Sequence, residues 1–302
     1  MKPGVRILNY GSLNLDLVYA VPHIARPGET ISSASRRVHA GGKGANQSVA
    51  AARAGGKIYH AGKVGRDGEW LVEKLSKAGV DARFVSTAKE NTGHAVIQVD
   101  FKGENAIFIF PGANQLMTRA GIDGVLDNFS AGDYLMLQNE INEISYLMHS
   151  ARERRMKVCF NPAPMDGRVA RYPLRKASFL ILNETEGAAL AGRSGPEAIL
   201  RRLSQQYPET EIVLTMGKQG AVAVGPGAPA IRAPAFRVRA VDTTAAGDTF
   251  IGYYVAGRAS GMDLGPCLRQ ACAAAALCVT RPGAMDSIPS MAAVRRFTGA
   301  LK

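Results

Sequence analysis

Between residues 134 and 216 the chain repeats a short apolar run four times: YLMLQ (134–138), KVCFN (157–161), FLILN (179–183) and IVLTM (212–216). Amphipathic stretches at 143–156, 186–191 and 196–207 separate these runs. Apolar strands that alternate with helices are typical of a parallel sheet with helices on both faces. We therefore predict an α/β fold with a doubly wound, mostly parallel sheet.

The first third of the chain adds runs in which apolar and polar residues alternate, as in AVIQVD (95–100). This pattern predicts a sheet with one solvent-exposed face. We expect two segments, about 14–39 and 92–112, to form a small antiparallel sheet. In doubly wound folds ligands bind beyond the carboxyl ends of the strands, and the small sheet would cover that edge as a lid. No linker divides the sequence, so we expect one domain over 1–302 with the lid inserted in it.

The composition narrows the class of protein. Apolar residues make up 46% and charged residues 21% of the 302 residues, which is typical of a globular protein. The longest apolar run, 271–279, is too short for a membrane span, and the N-terminus has no signal-peptide pattern, so we expect a cytoplasmic protein. The four cysteines show no CxxC spacing, and we expect reduced, buried thiols. The net charge of +12 favours anionic partners, but scattered cations without interleaved aromatic residues argue against nucleic acid.

A glycine-rich turn, AGGKGANQ (40–47), leads into a predicted helix. Glycines let the backbone approach a ligand closely, and amides at a helix start can donate to ligand oxygens. Lys43 adds a mobile positive charge, and Asn46 can both donate to and accept from a hydroxyl. The spacing is not that of a Walker P-loop. An ordinary strand-to-helix turn explains these residues equally well.

The segment VDTTAAGDTF (241–250) enters a second predicted helix. Small residues at a helix N-terminus can form an anion hole from backbone N–H groups, and Asp248 lies within the first turn. Phosphoryl transfer needs such donors beside a carboxylate that orients or deprotonates a hydroxyl. In the alternative interpretation, Asp248 only complements the helix dipole.

Two further groups of polar residues lie at strand ends. Asn14 and Asp16 are two apart on an extended segment, so both side chains project from one face, where they could bind sugar hydroxyls or form a turn. The sequence NETE (183–186) follows an apolar run and begins a helix. Its carboxylates could hold Mg²⁺ through water or could cap the helix.

Seven motifs occur in one order: NLD (14–16), RPGET (26–30), GGKGANQ (41–47), PGAN (111–114), NETE (183–186), DTTAAGDTF (242–250) and TRPGA (280–284). Together they resemble the ribokinase (PfkB-type) family of ATP-dependent carbohydrate kinases, over about residues 5 to 290. The resemblance implies an enzyme that phosphorylates a sugar with MgATP, and first of all the 5-hydroxyl of D-ribose. The alternatives are a kinase of another sugar or of a nucleoside, or a sugar-binding protein without catalysis.

The resemblance also implies roles for residues at matching positions. Asp248 matches the catalytic base, and the amides of Ala245, Ala246 and Gly247 match the anion hole for the γ-phosphoryl group. The sugar ligands would be Asn14, Asp16, Gly42, Lys43, Asn46 and Glu140. The nucleotide side would include Asn183, Thr215, Met216, Gly217, Lys218 and Gly220. Glu186 matches the acidic residue tied to Mg²⁺, and an activating K⁺ would be held by Asp242, Thr244, Cys278, Arg281, Gly283 and Ser287, several through backbone oxygens.

Family members often pair their lids into homodimers, so the resemblance implies a homodimer formed through the lid. The sequence departs from the family pattern at His94 and Phe110, on predicted lid strands. These side chains could reshape the pocket for a ribosyl compound with a base, or they could point away and pack between two lids. Met285 and Asp286 are another departure, next to the segment matched to K⁺.

Overall fold

In a computed structural model of the protein, residues 4–300 are described. Their strands are β1 (Arg6–Tyr10), β2 (Asn14–Ala20), β3 (Ser35–Gly41), β4 (Lys57–Val64), β5 (Asp81–Thr87), β6 (Gly93–Val99), β7 (Asn105–Phe110), β8 (Tyr134–Gln138), β9 (Lys157–Asn161), β10 (Phe179–Asn183), β11 (Glu211–Thr215), β12 (Ala221–Val224) and β13 (Ile231–Ala233). Their α-helices are α1 (Lys43–Arg53), α2 (Glu69–Lys77), α3 (Arg119–Leu126), α4 (Ile144–Glu153), α5 (Glu184–Ala191), α6 (Pro196–Gln206), α7 (Ala246–Ala259), α8 (Leu264–Cys278) and α9 (Met291–Gly299).

The large sheet has the strand order β13-β12-β11-β10-β9-β8-β1-β4-β5. The strands from β11 to β5 are parallel, and β12 and β13 add an antiparallel edge. Alternate residues of one strand face opposite sides of the sheet. Ile181 therefore belongs to the core that includes α1, α7 and α8, whereas Leu180 and Leu182 belong to the core that includes α4 and α6. The predicted doubly wound, mostly parallel sheet is confirmed.

The small sheet has the order β3-β2-β6-β7 and is mixed. β2 pairs antiparallel with β3 but parallel with β6, and β6 pairs antiparallel with β7. The prediction of a purely antiparallel sheet was wrong, because the chain between β3 and β6 passes through α1, β4, α2 and β5 and returns in the direction of β2. β3 also ends at Gly41, beyond residue 39, since its register follows β2 from Ala20–Ser35 to Asn14–Gly41.

The cysteines and the lengths of the helices were also the subject of predictions. All four cysteines, Cys159, Cys267, Cys272 and Cys278, are buried free thiols, as predicted. Among residues 4–300, no helix is both long enough and apolar enough to cross a bilayer.

Candidate active site

A polar cleft lies at the carboxyl ends of β9, β10 and β11, between the first turns of α1 and α7. Parallel strands present their carboxyl ends at one edge, which is where ligands bind in sheets of this type. The cleft brings together residues that are distant in sequence: Lys43, Asn161, Asn183, Glu186, Thr215 and 245–248.

Close packing of α7 against α1 places Asp248. A Cβ atom at Gly252 would lie 2.4 Å from Ala50 Cβ and 2.5 Å from the Gln47 carbonyl oxygen, so only glycine allows the two helices to approach this closely. One turn earlier on α7, Asp248 Oδ2 accepts a hydrogen bond from Asn46 Nδ2 at 3.1 Å. Asp248 Oδ1 accepts one from Gln47 Nε2 at 3.0 Å. The carboxylate is therefore held by α1 as well as by its own helix.

The backbone before α7 turns sharply at Ala245, which has a positive φ of 59° although it is not a glycine. Such a conformation costs on the order of 1 kcal/mol and often marks a functional site. The first helical bond runs from the Thr249 amide to the Ala245 oxygen at 2.8 Å. Of the three amides expected to form an anion hole, that of Ala246 donates to the Thr243 oxygen at 3.3 Å, whereas those of Ala245 and Gly247 have no acceptor within residues 4–300.

Asp16 reaches the site from β2 of the small sheet. Its carboxylate lies against Gly41, where a Cβ atom would approach Asp16 Oδ2 to 2.2 Å, so glycine at 41 makes room for it. The carboxylate accepts no hydrogen bond from the described residues. Burial, together with the charges of Glu140 and Asp248, raises the pKa of Asp16 to about 6, against the opposing effect of Lys43. A partly buried acceptor without a donor is suited to bind a ligand hydroxyl.

Asn14 is buried on the same face of β2 as Asp16. Its Oδ1 accepts a hydrogen bond from Asn114 Nδ2 at 2.7 Å, and Asn114 Oδ1 accepts one from the Leu13 amide at 3.0 Å. These bonds fix the Asn14 amide and leave its Nδ2 group to donate to a ligand. Asn114 belongs to the PGAN motif, for which the sequence alone suggested no role.

The carboxyl group of Glu140 anchors the start of α1. Its Oε2 accepts hydrogen bonds from the Ser12 hydroxyl and, at 3.0 Å, from the Lys43 amide. Burial raises the pKa of Glu140. The carboxylate of Asp248 raises the pKa of Lys43, with smaller contributions from Glu140, Glu186 and Asp16, while burial opposes them. Lys43 Nζ has no carboxylate oxygen within 4.0 Å among the described residues, so its charge is available to a ligand.

The glycines of the turn before α1 serve the packing of the chain itself. Gly42 has φ of 93° at the helix start, and a Cβ atom at Gly44 would lie 2.4 Å from the Ser12 amide. The sequence-based interpretation, in which these glycines let the backbone approach a ligand, is therefore not needed to explain Gly41 or Gly44.

Sequence reasoning missed the amides behind the site. Gln47, Gln138 and Asn9 are almost completely buried and hydrogen-bonded to one another, and Gln47 contacts Asp248. Polar residues at apolar strand positions, Asn9 in β1 and Gln138 in β8, were the available signal.

Comparisons with known proteins agree with this geometry. The family model for pfkB family carbohydrate kinases matches residues 6–291. The chain belongs to this family. It is an ATP-dependent sugar kinase.

Two curated relatives and one solved structure illustrate the similarity. The ribokinase of Haemophilus influenzae is 32% identical over 289 residues, covering 93% of this chain and 94% of the relative. A deoxyribokinase of Salmonella typhi is 30% identical over 291 residues, covering 93% and 94%. The structure of Arabidopsis thaliana ribokinase complexed with ribose and ATP has a TM-score of 0.88 at 29% identity, covering 98% of this chain and 99% of that one.

The residues assigned to the nucleotide of this carbohydrate kinase divide into two groups. Asn183 and Thr215 line the cleft, whereas Gly217 and Lys218 lie in an exposed turn just after β11, beyond the buried Met216. Gly220 has a structural explanation, since a Cβ atom there would lie 2.1 Å from the Ala233 oxygen in β13.

Asn183 and Glu186 form a capping box at the start of α5. Asn183 Oδ1 accepts from the Glu186 amide at 2.8 Å, and Glu186 Oε2 accepts from the Asn183 amide at 3.0 Å. Burial raises the pKa of Glu186, whose side chain also lines the cleft. Glu186 Oε1 is not used by the cap, so helix capping leaves one carboxylate oxygen for a cation or its water shell.

The residues matched to K⁺ lie in the segment before α7, at the end of α8 (Cys278) and in the segment after α8. Asp242 Oδ1 accepts from the Thr244 amide at 2.8 Å and Oδ2 from the Gly283 amide at 2.9 Å. Burial raises the pKa of Asp242, but these hydrogen bonds outweigh it and the net pKa is lowered. Cys278 Sγ lies 3.1 Å from Ser287 Oγ, and Arg281 is exposed beside them. Because the side-chain oxygens are already engaged, a cation there would depend on main-chain carbonyls. No group of three or more His, Cys, Asp or Glu side chains within residues 4–300 is arranged for a metal ion.

His94 and Phe110 contact each other across β6 and β7, with ring centroids 5.1 Å apart. In the strand register Asp16 pairs with Ala95, whereas His94 pairs with Leu15 and Phe110. Paired residues share a face and successive residues alternate, so both rings lie on the face opposite to Asp16. The interpretation in which they reshape the sugar pocket is wrong, and they point away from it.

Proposed function

We propose that this kinase phosphorylates the 5-hydroxyl of D-ribose with MgATP and that Asp248 is the general base. The observation that carries the proposal is the position of the Asp248 carboxylate, beside unpaired amides at the start of α7 and hydrogen-bonded to α1. Ribokinases among the relatives, and the ribose and ATP in the Arabidopsis thaliana structure, support ribose as the acceptor.

In this mechanism, Asp16, Asn14 and Lys43 hold the sugar, together with Asn46, Glu140 and the Gly42 backbone. Asp248 takes the proton of the 5-hydroxyl as the hydroxyl oxygen forms its bond to the γ-phosphorus. The amides of Ala245 and Gly247 donate to oxygens of the phosphoryl group, and Ala246 contributes once its turn contact opens. Such donors stabilise the charge on the phosphoryl oxygens without rearranging during the reaction.

The nucleotide would bind along Asn183, Thr215 and the turn that contains Gly217 and Lys218, with Gly220 setting the path of the chain. Mg²⁺ neutralises charge on the phosphates when it is bound, and Glu186, with one carboxylate oxygen not used by the cap, fits a role in holding its water shell. K⁺ bound by the loops of Asp242, Thr244, Cys278, Arg281, Gly283 and Ser287 would order the backbone that precedes α7. Both ions are part of the proposal.

The small sheet is proposed to act as a lid, because it carries Asn14 and Asp16, and closure excludes water that would otherwise hydrolyse ATP. We also propose a homodimer formed through this sheet. The edge strand β7 exposes four large apolar side chains, from Ile107 to Phe110, of which Phe108 is 61% exposed. An apolar edge strand of this kind is normally covered by a partner. We also propose that the enzyme is cytoplasmic and has no nucleic-acid partner.

A coupled assay of ADP release over pentoses, hexoses and nucleosides, run with and without K⁺, tests the proposal. We expect ribose to give the highest kcat/KM and K⁺ to increase it. The deoxyribokinase relative makes 2-deoxyribose the second candidate, which differs from ribose only by the 2-hydroxyl. A higher kcat/KM for any other acceptor would refute ribose as the substrate, and equal rates without K⁺ would refute the cation site.

A further inference from the structure

A continuous chain of side-chain amides runs through the core to Asp248. Gln138 Nε2 donates to Asn9 Oδ1 at 3.1 Å and to Gln47 Oε1 at 2.7 Å. Gln47 Nε2 in turn donates to Asp248 Oδ1 at 3.0 Å. None of the three amide side chains is more than 1% exposed. The links between the three amides therefore lie in the interior, shielded from competing water, whereas the link to Asp248 lies at the partly buried edge of the cleft.

The direction of this chain is fixed at its far end. Asn9 Nδ2 donates to the Gly44 carbonyl oxygen at 2.7 Å and to Ser48 Oγ at 2.9 Å. A carbonyl oxygen can only accept, so Nδ2 must point there and Asn9 Oδ1 must face Gln138. Gln138 must then present its NH₂ group to both neighbours, and Gln47 must accept with Oε1 and donate with Nε2. Gln47 Nε2 also donates to Asn161 Oδ1 at 3.3 Å, and Asn161 Nδ2 donates to the Ile181 carbonyl oxygen at 3.0 Å. Two backbone carbonyls, those of Gly44 and Ile181, thus decide that Asp248 Oδ1 faces a donor.

The two oxygens of Asp248 have different partners. Oδ1 is bonded to Gln47, whose amide is held by the chain, whereas Oδ2 is bonded to Asn46 at 3.1 Å. Asn46 Oδ1 is buried and has no partner among the described residues. A sugar hydroxyl could therefore donate to Asn46 Oδ1. The Asn46 side chain would then turn from Asp248 to the sugar and leave Asp248 Oδ2 free.

We propose that Gln47 is a positioning residue that pins Oδ1 of Asp248, so that Oδ2 is the oxygen that takes the substrate proton. The proposal rests on Asp248 being the general base. In the step, the proton of the sugar hydroxyl passes to Oδ2, the hydroxyl oxygen forms the bond to the γ-phosphorus, and the bond from that phosphorus to the ADP oxygen breaks. Gln138 and Asn9 act through Gln47.

The chain of side-chain amides carries a cost in folding free energy that the fold alone does not explain. Gln138 Oε1 is buried without a partner among the described residues, and burying an unpaired polar group is unfavourable. Methionine or leucine at these strand and helix positions would fill similar volumes without that cost. A role in orienting the base explains why polar groups occupy them.

The test measures kcat and the calorimetric Kd for the sugar in Gln47→Met and Gln138→Met, variants of nearly unchanged volume. Loss of one hydrogen bond to the carboxylate should lower kcat about 10- to 100-fold in Gln47→Met. The sugar Kd should stay within about threefold, because Gln47 is not one of the proposed sugar ligands. Tyr254→Phe is the matched control, since it removes a buried hydrogen bond of the same helix to Glu211 at 2.6 Å, away from the cleft. We expect its kcat to be unchanged.

The double variant separates positioning from a general loss of packing. If Gln138 acts only through Gln47, kcat of the double variant should equal that of Gln47→Met. If the two single losses in kcat multiply in the double variant, Gln138 does not act through Gln47. A kcat within twofold of wild type in both folded single variants would overturn the proposal, and so would a parallel loss of sugar binding. If Gln47→Met does not fold, Gln138→Met alone tests the proposal, and we expect it to have a lower kcat and an unchanged sugar Kd. Asp248→Asn is measured alongside these variants. If it retains turnover, the assignment of Asp248 as the base is wrong. If Asp248→Asn loses turnover but the glutamine variants retain it, only the proposed role of Gln47 is wrong.

Discussion

Replacement of Asp16 by asparagine should stabilise the folded chain while it weakens sugar binding. The amide has nearly the same size as the carboxylate, so the space beside Gly41 is still filled. It carries no charge, and it therefore avoids both the cost of burying a charge and the repulsion from Glu140 and Asp248, which together raise the pKa of Asp16. The same carboxylate accepts no hydrogen bond from the described residues, so only the charge of Lys43 offsets part of its cost in the free protein.

The magnitude follows from the pKa, which rises from 3.8 to about 6 on folding. At about 1.36 kcal/mol per pKa unit, the ionised carboxylate destabilises the fold by on the order of 3 kcal/mol. Because the folded chain binds this proton more tightly than the unfolded chain, stability falls as the pH rises between about 4 and about 6, and the full cost applies at pH 7. For a chain of this length, Asp16→Asn should raise the midpoint of thermal unfolding by about 5 °C.

Calorimetric unfolding at pH 7 and pH 5 measures this gain, which should shrink at pH 5, where the wild-type carboxyl is mostly protonated. Titration with ribose measures the second effect. If the ionised carboxylate binds the sugar, wild-type Kd should increase about tenfold from pH 7 to pH 5, while the variant binds weakly at both. A lower unfolding midpoint for the variant at pH 7, or a wild-type Kd independent of pH, would refute the reasoning.

Three further changes test other parts of the site. Lys43→Ala should lower kcat/KM about 10- to 100-fold by removing the ammonium that faces the cleft, and unchanged kinetics would show that Lys43 faces solvent. Gly252→Ala should lower the free energy of unfolding by about 1–3 kcal/mol, and should lower kcat, because it pushes α7 away from α1. Gly299→Ala is the control, since its added Cβ meets nothing within 4 Å. Equal effects of the two variants would contradict the packing argument. Phe108→Asp, on the face of β7 opposite to Asp16, should convert a dimer to a monomer in light scattering, and a wild-type protein that is already monomeric would contradict the proposed lid interface.

The central strands could be predicted from the sequence because they are buried on both faces. The runs at 134–138, 157–161 and 179–183 coincide with β8, β9 and β10, and the fourth differs from β11 by one residue. β4 and β5 were not predicted. His60, Gly62 and Lys63 interrupt the apolar pattern of β4, and Ala82 is the one residue of β5 that is buried. The direction of β6 depends on the path of the intervening chain, which local patterns do not encode.

The site was partly accessible from motifs and partly not. Asp248, Lys43 and Asn46 were proposed from a glycine turn and a helix start, and the structure brings them together. The amide chain was missed because its links join residues far apart in sequence, such as Gln47 and Gln138, and no local pattern marks such a pair. Gly252 was missed for the same reason, since its importance depends on contact with another helix.

The role of Asp248 is tested most directly by Asp248→Asn, with kcat and the calorimetric sugar Kd measured on the same preparation. Asparagine keeps the side-chain volume and loses the base. We expect kcat to fall by about 10²–10⁴ while the sugar Kd changes little. Turnover close to that of wild type, or sugar affinity lost together with turnover, would contradict the assignment of Asp248 as the group that accepts the substrate proton.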